Sequence, residues 1–405
     1  MRVLHFYRTY IPDTIGGAEQ SIYHLCRAGS ELGVENRVLT LTTRQDGKPH
    51  IGLPGHQVER VESHFKVASV ELSWSALRRF RALAAEADVV HYHFPWPMGD
   101  IAHLLMQIRK PSVVTYHADI QRQQNLLAMY RPLMHRFLSS VDRIVATSPY
   151  YAATSDVLAR HRHKVEVVPL GLARAYYPTP DDALVRRWKE RIGSPFFLFV
   201  GVFRYYKGLP VLIEAIRKTG YPVVLVGDGP LAPTIHALAA ECGATSAYFT
   251  GSIPEADKMA LIRLCRAVIL PSPNRAEAFG MSLLEGAMMA KPMITCEIGT
   301  GTSYVNVHGD TGLVVAPNDP NELADAMRAL WENPDVCEEL GRNAALRFED
   351  LFTAHRTASA YRQIYRTVMA GKQDGERAVS PAAATYGERI AASSLVQSDS
   401  AIEKP

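Results

Sequence analysis

Glu277-Ala278-Phe279-Gly280-Met281-Ser282-Leu283-Leu284-Glu285 carries two carboxylates with seven residues between them and a glycine and a serine inside the interval. Just upstream, Ala267-Val268-Ile269-Leu270-Pro271-Ser272 is a short apolar run closed by Pro and Ser, the pattern of a buried strand ending in a loop. Downstream, Leu283, Leu284, Ala287 and Met288 fall at helical spacing. The stretch predicts strand, loop, helix, with Glu277 in the loop and Glu285 on the first turns of the helix. A helix start offers unpaired N–H groups and partial positive charge to an anion such as a diphosphate. Gly280 lets a ligand approach the backbone, and acceptor-only carboxylates suit a hydroxyl-rich one. Phosphate flanked by polyol describes a sugar nucleotide. Spacing alone leaves a second reading open, in which Glu277 caps the helix and Glu285 is merely solvated.

The same unit recurs on either side. Phe196-Phe197-Leu198-Phe199-Val200-Gly201 reads as a strand, Arg204-Tyr205-Tyr206-Lys207-Gly208 as its loop, and Leu212, Ile213, Ala215 and Ile216 as one helix face. A planar Arg fork and a Lys point charge at a strand's carboxyl end suit a diphosphate, and equally an ordinary solvated loop. Pro222–Val226 ends in Gly227-Asp228-Gly229-Pro230, and Tyr248-Phe249-Thr250-Gly251-Ser252 is another strand and turn. After Lys291–Cys296 comes Glu297-Ile298-Gly299-Thr300-Gly301-Thr302-Ser303, whose N–H groups and hydroxyls can hold phosphate.

Towards the N-terminus, Val3–Phe6 reads as a strand, Pro12–Glu19 with Gly16-Gly17 as its loop, and Ile22, Leu25, Cys26 and Gly29 as one face of a helix. Further strands are expected at 36–40, 67–70, 88–93, 112–117 and 143–148. Such β-branched runs separated by helical stretches imply a parallel sheet covered on both faces, with ligands gathering at its carboxyl edge. Two strands end in histidine-bearing loops, His91-Tyr92-His93 and His117-Ala118-Asp119. No nearby Asp/Glu/Cys set has ligand spacing, so no metal is expected. Val165–Leu172 and the polar, Pro-containing stretch through Asp182 fit a hinge, and beyond Lys372 little remains to bury.

At 405 residues, 47% apolar and 21% charged, the chain suits two ordinary soluble domains. No apolar run approaches bilayer-crossing length, and the N-terminus lacks signal-peptide anatomy. Five scattered cysteines suggest neither zinc nor a disulfide frame, so the cytosol is expected. The net charge of +3 is uneven: residues 1–175 hold 21 Lys+Arg against 15 Asp+Glu (+6), the remainder 23 against 26 (−3). Twelve of the fifteen histidines lie in that first part, which suggests an anionic or membrane-associated ligand there. Arg78-Arg79-Phe80-Arg81, Gln121–Phe137 and Arg160–Lys164 mix Arg with aromatic and apolar residues and together read as a face for anionic lipid, or singly as ordinary amphipathic segments.

Gly-Gly-Ala-Glu after the first strand, Lys207-Gly208, Gly-Asp-Gly-Pro and Glu-x7-Glu after a Pro-Ser strand end, in this order, resemble the retaining glycosyltransferases of family 4 with the two-domain GT-B fold. The resemblance covers residues 1 to about 370 and implies an α/β architecture of two Rossmann-like, doubly wound domains facing each other across a cleft. An acceptor-binding domain would span 1–175 and a nucleotide-sugar-binding domain 176–354. A crossover helix would return to the first domain over 355–371, with a disordered tail at 372–405. Carried over by motif, His117 and Glu277 are the catalytic pair, His117 facing the reacting sugar carbon and Glu277 the donor hexose. Glu285 would meet the ribose hydroxyls, and Arg204 with Lys207 the diphosphate. Val202 stands where most members have the Arg, so Arg204 reaches from a shifted position. Gly16, Gly17, Gly229, Gly251, Gly280, Met281 and Ser282 complete the donor side; Asp119 and His93 fall on the acceptor side.

Within the family, His5-Phe6-Tyr7-Arg8-Thr9-Tyr10, Phe203-Arg204-Tyr205-Tyr206-Lys207-Gly208 and the 297–303 loop look most like bacterial O-antigen mannosyl- and D-rhamnosyltransferases. The implied reaction moves mannose or D-rhamnose from a GDP-sugar to a polyprenyl-diphosphate-linked glycan, at the inner face of the cytoplasmic membrane. No cofactor or nucleic acid is implied, and the chain contains no Asp-x-Asp for a metal-bridged diphosphate. Two alternatives share these residues: a sugar-nucleotide epimerase of the same layout and a non-catalytic nucleotide-sugar sensor.

Overall fold

The structure, a computed structural model, describes residues 1–373 apart from residues 45, 63–64, 68–69, 73, 122–123 and 194. The expected tail lies outside the described residues from 374 onward, and Arg122 of the basic segment also falls outside them.

The first lobe contains strands β1 (Arg2–Phe6), β2 (Glu35–Thr42), β3 (His50–Leu53), β4 (His56–Glu62), β5 (Phe65–Val67), β6 (Val70–Leu72), β7 (Val89–Phe94), β8 (Ser112–Tyr116), β9 (Arg143–Ala146) and β10 (Val165–Val167). Eight of them form one sheet in the order β10-β9-β8-β7-β1-β2-β4-β3, parallel except for β3. The second lobe contains β11 (Phe197–Val200), β12 (Val223–Val226), β13 (Ala247–Gly251), β14 (Ala267–Leu270), β15 (Met293–Cys296) and β16 (Gly312–Val315). These form an all-parallel sheet in the order β13-β12-β11-β14-β15-β16. In each sheet the strand order reverses beside the lobe's first strand, between β1 and β7 and between β11 and β14. The carboxyl edges at those reversals are where such sheets bind ligands.

The strands expected at 36–40, 88–93, 112–117 and 143–148 belong to the parallel sheet, but Val67 and Val70 of the expected strand 67–70 do not, and its residues 68–69 lie outside the described residues. Val67 ends β5 and Val70 begins β6, an antiparallel pair outside the main sheet. The His50–Glu62 hairpin at the sheet edge has no counterpart in the sequence reading.

Both cores are aliphatic and aromatic. Phe197, Leu198, Val224, Leu225, Val268 and Ile269 are almost wholly buried in the second lobe, each contributing about 1.5–3 kcal/mol relative to exposure. The long C-terminal helix Ala354–Gln373 returns to the first lobe, where Tyr361, Ile364, Tyr365 and Val368 pack on Val3, Val89, Val113 and Val145. The two crossings between lobes run side by side, with Leu172 N donating to Phe352 O at 2.9 Å and Ala354 N to Leu172 O at 2.8 Å. A Cβ on Gly171 would sit 2.5 Å from Thr353 O, so no larger residue fits this double crossing.

Candidate active site

The second lobe presents two loops at its reversal. The loop after β11 carries Arg204 and Lys207, and the loop after β14 carries Ser272, Arg275 and Glu277. Lys207 Nζ donates to Glu277 Oε2 at 2.6 Å, and Ser272 Oγ reaches the same oxygen at 3.3 Å. Both charged side chains are largely buried, so each depends on the other for compensation. Thr300 Oγ1 donates to the Glu277 backbone carbonyl at 2.8 Å, tying the 297–303 loop to this carboxylate. Arg204 is exposed and pairs with no carboxylate among the described residues. It is the N-cap of the short turn Tyr205–Lys207.

Gly280 is the N-cap of the helix Met281–Met288 and supplies no side-chain cap; Leu283 N donates to Gly280 O at 3.0 Å, which leaves the first-turn N–H groups of Met281 and Ser282 without a backbone acceptor among the described residues. Its φ is +89° and an added Cβ would lie 2.8 Å from Leu283 Cδ1 and 2.9 Å from Leu270 Cδ2, which only glycine avoids. Glu285 is buried and accepts from Lys258 Nζ at 2.7 Å and from Tyr177 OH at 3.1 Å, both on Oε1. Gly229 lies in the loop after β12 and Gly251 ends β13; Gly227 N donates to Gly251 O at 2.9 Å and ties these two neighbouring strand ends together.

On the first lobe, Gly16 is likewise the uncapped N-cap of the helix Gly17–Glu31. Buried Glu19 accepts from Thr9 and Thr14 hydroxyls at 2.8 and 3.1 Å and fixes the loop. His117 follows β8 directly and is half-buried; its Nε2 lies 3.1 Å from His93 Nδ1. Burial, with a contribution from Arg8, lowers the His117 pKa to about 4, so the ring is neutral at physiological pH.

The lobes close on each other at these groups. A Cβ on Gly17 would come 3.3 Å from Met281 Cγ, so the two uncapped helix starts meet across the cleft. Arg275 Nη2 donates to Asp119 Oδ2 at 3.3 Å, which brings the His117 and Glu277 loops together. Ala278 packs against the first lobe's core.

Among known proteins, the D-rhamnosyltransferase WbpZ of Pseudomonas aeruginosa is 54% identical over 354 residues, covering 87% of this chain and 93% of its own. The O-antigen chain mannosyltransferase C of Escherichia coli is 43% identical over 92% of this chain and 100% of its own. Residues 15–172 match the model of Glycosyltransferase Family 4, and residues 182–347 that of Glycosyl transferases group 1. The chain is a family 4 glycosyltransferase. The transferase also shares its fold with solved structures. The sucrose-phosphate synthase of Thermosynechococcus elongatus superposes with a TM-score of 0.75 at 19% identity, covering 91% of this chain and 99% of its own. HepE of Anabaena, in complex with UDP and glucose, gives 0.71 at 18% identity, covering 89% and 98%. The GT-B expectation is borne out by these neighbours together with the two facing parallel sheets.

The transferase brings Gly16, Gly17, Lys207, Glu277, Gly280, Met281 and Ser282 to one cleft. Three other residues are held differently from a simple ligand contact. His93 is buried with both ring nitrogens hydrogen-bonded inside the lobe, so it stands behind His117. Asp119 directs Oδ1 to Tyr116 and Ser155 hydroxyls at 2.8 and 2.7 Å and Oδ2 to Arg275, which makes it part of the lobe contact. Glu285 is half-occupied by Lys258 and Tyr177. Sequence reasoning missed Lys258 and Arg275, which sit in no motif and are revealed only by their spatial partners, and it quoted Ser272, Thr300 and His5 within motifs without giving them these individual contacts. The histidine excess of the first lobe also has another meaning, since burial lowers the pKa of His5, His24, His56, His91, His93 and His103 and removes them from any cationic field. Lys164 is likewise buried, donating to Ser139 O and Val141 O at 2.8 Å, so it leaves the expected lipid face.

Proposed function

We propose that the transferase moves mannose or D-rhamnose, with retention at the anomeric carbon, from a GDP-sugar to a glycan carried on polyprenyl diphosphate in O-antigen synthesis. Near-complete coverage of two relatives named for these sugars carries the reading. The cleft geometry supports it. Lys207, Arg204 and the unpaired N–H groups of the helix Met281–Met288 offset charge growing on the departing diphosphate. Glu277 and His117, on opposite walls, orient the hexose by hydrogen bonds to its hydroxyls, and Glu285 Oε2, which meets no protein donor among the described residues, faces the role of ribose acceptor. Closure of the lobes excludes water from the reacting carbon. Residues of the chain supply all of these roles, and the proposal includes no metal or cofactor.

No helix among the described residues is long and apolar enough to cross a membrane. The lipid-borne acceptor then requires contact with a surface. Exposed Leu126 and Met129 on the helix Gln124–Ser140, with exposed Arg131 and Arg136, supply mixed apolar and cationic character for anionic lipid.

The test is incubation with GDP-mannose and GDP-D-rhamnose, with and without GlcNAc-diphospho-undecaprenol. Sugar transfer that requires the lipid supports the proposal. Conversion of the GDP-sugar without acceptor would identify an epimerase, and GDP binding without any turnover would identify a sensor.

A further inference from the structure

Four polar side chains cross the first sheet in a single file, one from each of four adjacent strands or the loop that directly follows. Asn36 of β2 meets His5 of β1 (Oδ1 to Nε2, 3.1 Å); His5 meets His93 of β7 (Nδ1 to Nε2, 3.1 Å); His93 meets His117 after β8 (Nδ1 to Nε2, 3.1 Å). The file begins in the core, where Asn36, His5 and His93 are each at most 4% exposed, and ends at the cleft on half-buried His117.

The direction of every bond in the file follows from its buried end. Asn36 Nδ2 contacts two carbonyl oxygens, Cys26 O at 2.9 Å and Val34 O at 3.2 Å. Only an NH2 group satisfies both, so the atom facing His5 is the amide oxygen, and it accepts. His5 therefore carries its proton on Nε2. Burial lowers the pKa of His5 and His117 to about 4, and that of His93 well below its ordinary value, so each ring has one N–H and one lone pair at neutral pH. His5 Nδ1 is then an acceptor, which requires His93 to donate from Nε2. His93 Nδ1 accepts in turn, and His117 donates from Nε2. The one ring nitrogen in the file without a protein partner among the described residues is His117 Nδ1.

We propose that Asn36, His5 and His93 are positioning residues which hold His117 as its Nε2–H tautomer, so that its Nδ1 lone pair stands in the cleft as a fixed hydrogen-bond acceptor. His117 so held accepts from a sugar hydroxyl and offers it no proton. Resting on the reading of His117 as a donor-facing residue, this assigns the ligand group opposite it to the hydroxyl class and disfavours a group there that can only accept. A competing use of the cluster is a cation site, because His5, His91 and His93 bring ligand nitrogens within 4.8 Å of one another. The remaining nitrogens are already committed, however: His91 contacts Tyr365 OH and Thr115 Oγ1, both at 2.7 Å, so no lone pair is left converging on a common point.

The test reads the tautomers directly. Long-range proton–nitrogen correlation spectra of the full chain carrying 15N-histidine, with His117 assigned by its loss in His117→Ala, should show the proton on Nε2 and a pyridine-like Nδ1. A proton on Nδ1 of His117 in the unsubstituted protein would overturn the proposal without any variant. His5→Leu breaks the file at a residue remote from ligand, and His117 should then show mixed tautomers with kcat/KM for transfer reduced about tenfold, the size of one ordered hydrogen bond. His5→Gln restores one donor and one acceptor in the same order, and should return the single tautomer and bring kcat/KM to within about twofold of the starting value. An unchanged His117 tautomer in His5→Leu, or a changed tautomer with unchanged kcat/KM, would each sink it. The spectra need no sugar donor, so failure of the proposed transfer activity would show separately, as absent turnover in a protein whose tautomers are ordered.

Discussion

Lys207 and Glu277 are separated by 70 residues yet share a 2.6 Å contact, and neither is stable in its surroundings without the other. Lys207→Ala leaves Glu277 buried and uncompensated, at a cost of about 1–3 kcal/mol in stability. It also removes the charge proposed to stabilise the leaving diphosphate, so transfer should fall about 10²–10³-fold. Glu277→Ala should cut transfer by a similar factor through loss of sugar orientation. Steady-state rates beside thermal melts check both: a folded variant with near-normal transfer would remove that residue's role. Each of these two residues was legible because it follows a short apolar run whose carboxyl end must face a ligand edge. Their pairing was not, since nothing local to 207 encodes 277. Lys258 was invisible for a related reason. The helix Glu255–Leu264 reads as ordinary, and only the fold brings its lysine to Glu285.

At the scale of elements, continuous β-branched runs such as Val223–Val226 announce buried parallel strands, because both faces must be apolar. The hairpin His50–Leu53 and His56–Glu62 hides from that logic. It closes the sheet edge with a short, half-exposed β3, and β4 buries the polar His56, Glu59 and Arg60 beside Val58, so no continuous apolar run marks it, and its Pro54-Gly55 turn resembles a loop. The loop after β14 is the opposite case, since Gly280 both ends the loop and starts the helix. Gly280→Ala forces a Cβ into Leu270 and Leu283 at positive φ. It should lower unfolding free energy by about 1–3 kcal/mol and tilt the uncapped first turn away from phosphate. Denaturant unfolding and calorimetric titration with GDP check this: GDP affinity should drop at least about tenfold, and an unchanged Kd would show that the helix start does not meet the diphosphate.

Across the whole molecule, the two lobes differ in how they respond to acid. His5, His56 and His103 have pKa values lowered by burial to about 4, and His24 to about 3. The unfolded chain therefore binds more protons than the folded one as pH falls from about 6.5 towards 4, and stability falls in that window by up to about 1.4 kcal/mol per pH unit for each such group. All four lie in the first lobe, so thermal scans at decreasing pH should show that lobe melting first, whereas a single pH-independent transition would contradict it. The contact between lobes gives a second, separable handle. Arg275 donates to Thr154 Oγ1 and Gly299 O, both at 2.8 Å, and to Asp119 Oδ2 at 3.3 Å, with its guanidinium 4.9 Å from the Tyr151 ring centre. Asp119 is pre-set for it by the Tyr116 and Ser155 hydroxyls. Part-exposed ion pairs of this kind contribute about 1 kcal/mol, enough to shift an open–closed population roughly fivefold. Arg275→Ala should therefore enlarge the radius of gyration in solution scattering and lower kcat/KM for transfer about fivefold. GDP affinity should stay within about twofold, because Lys207, Gly280 and Glu285 all belong to the second lobe. A compact variant with normal transfer would show that closure is set by the Gly17–Met281 approach and the double crossing at Leu172 instead, and equal losses in GDP binding and transfer would place Arg275 on the donor rather than between the lobes.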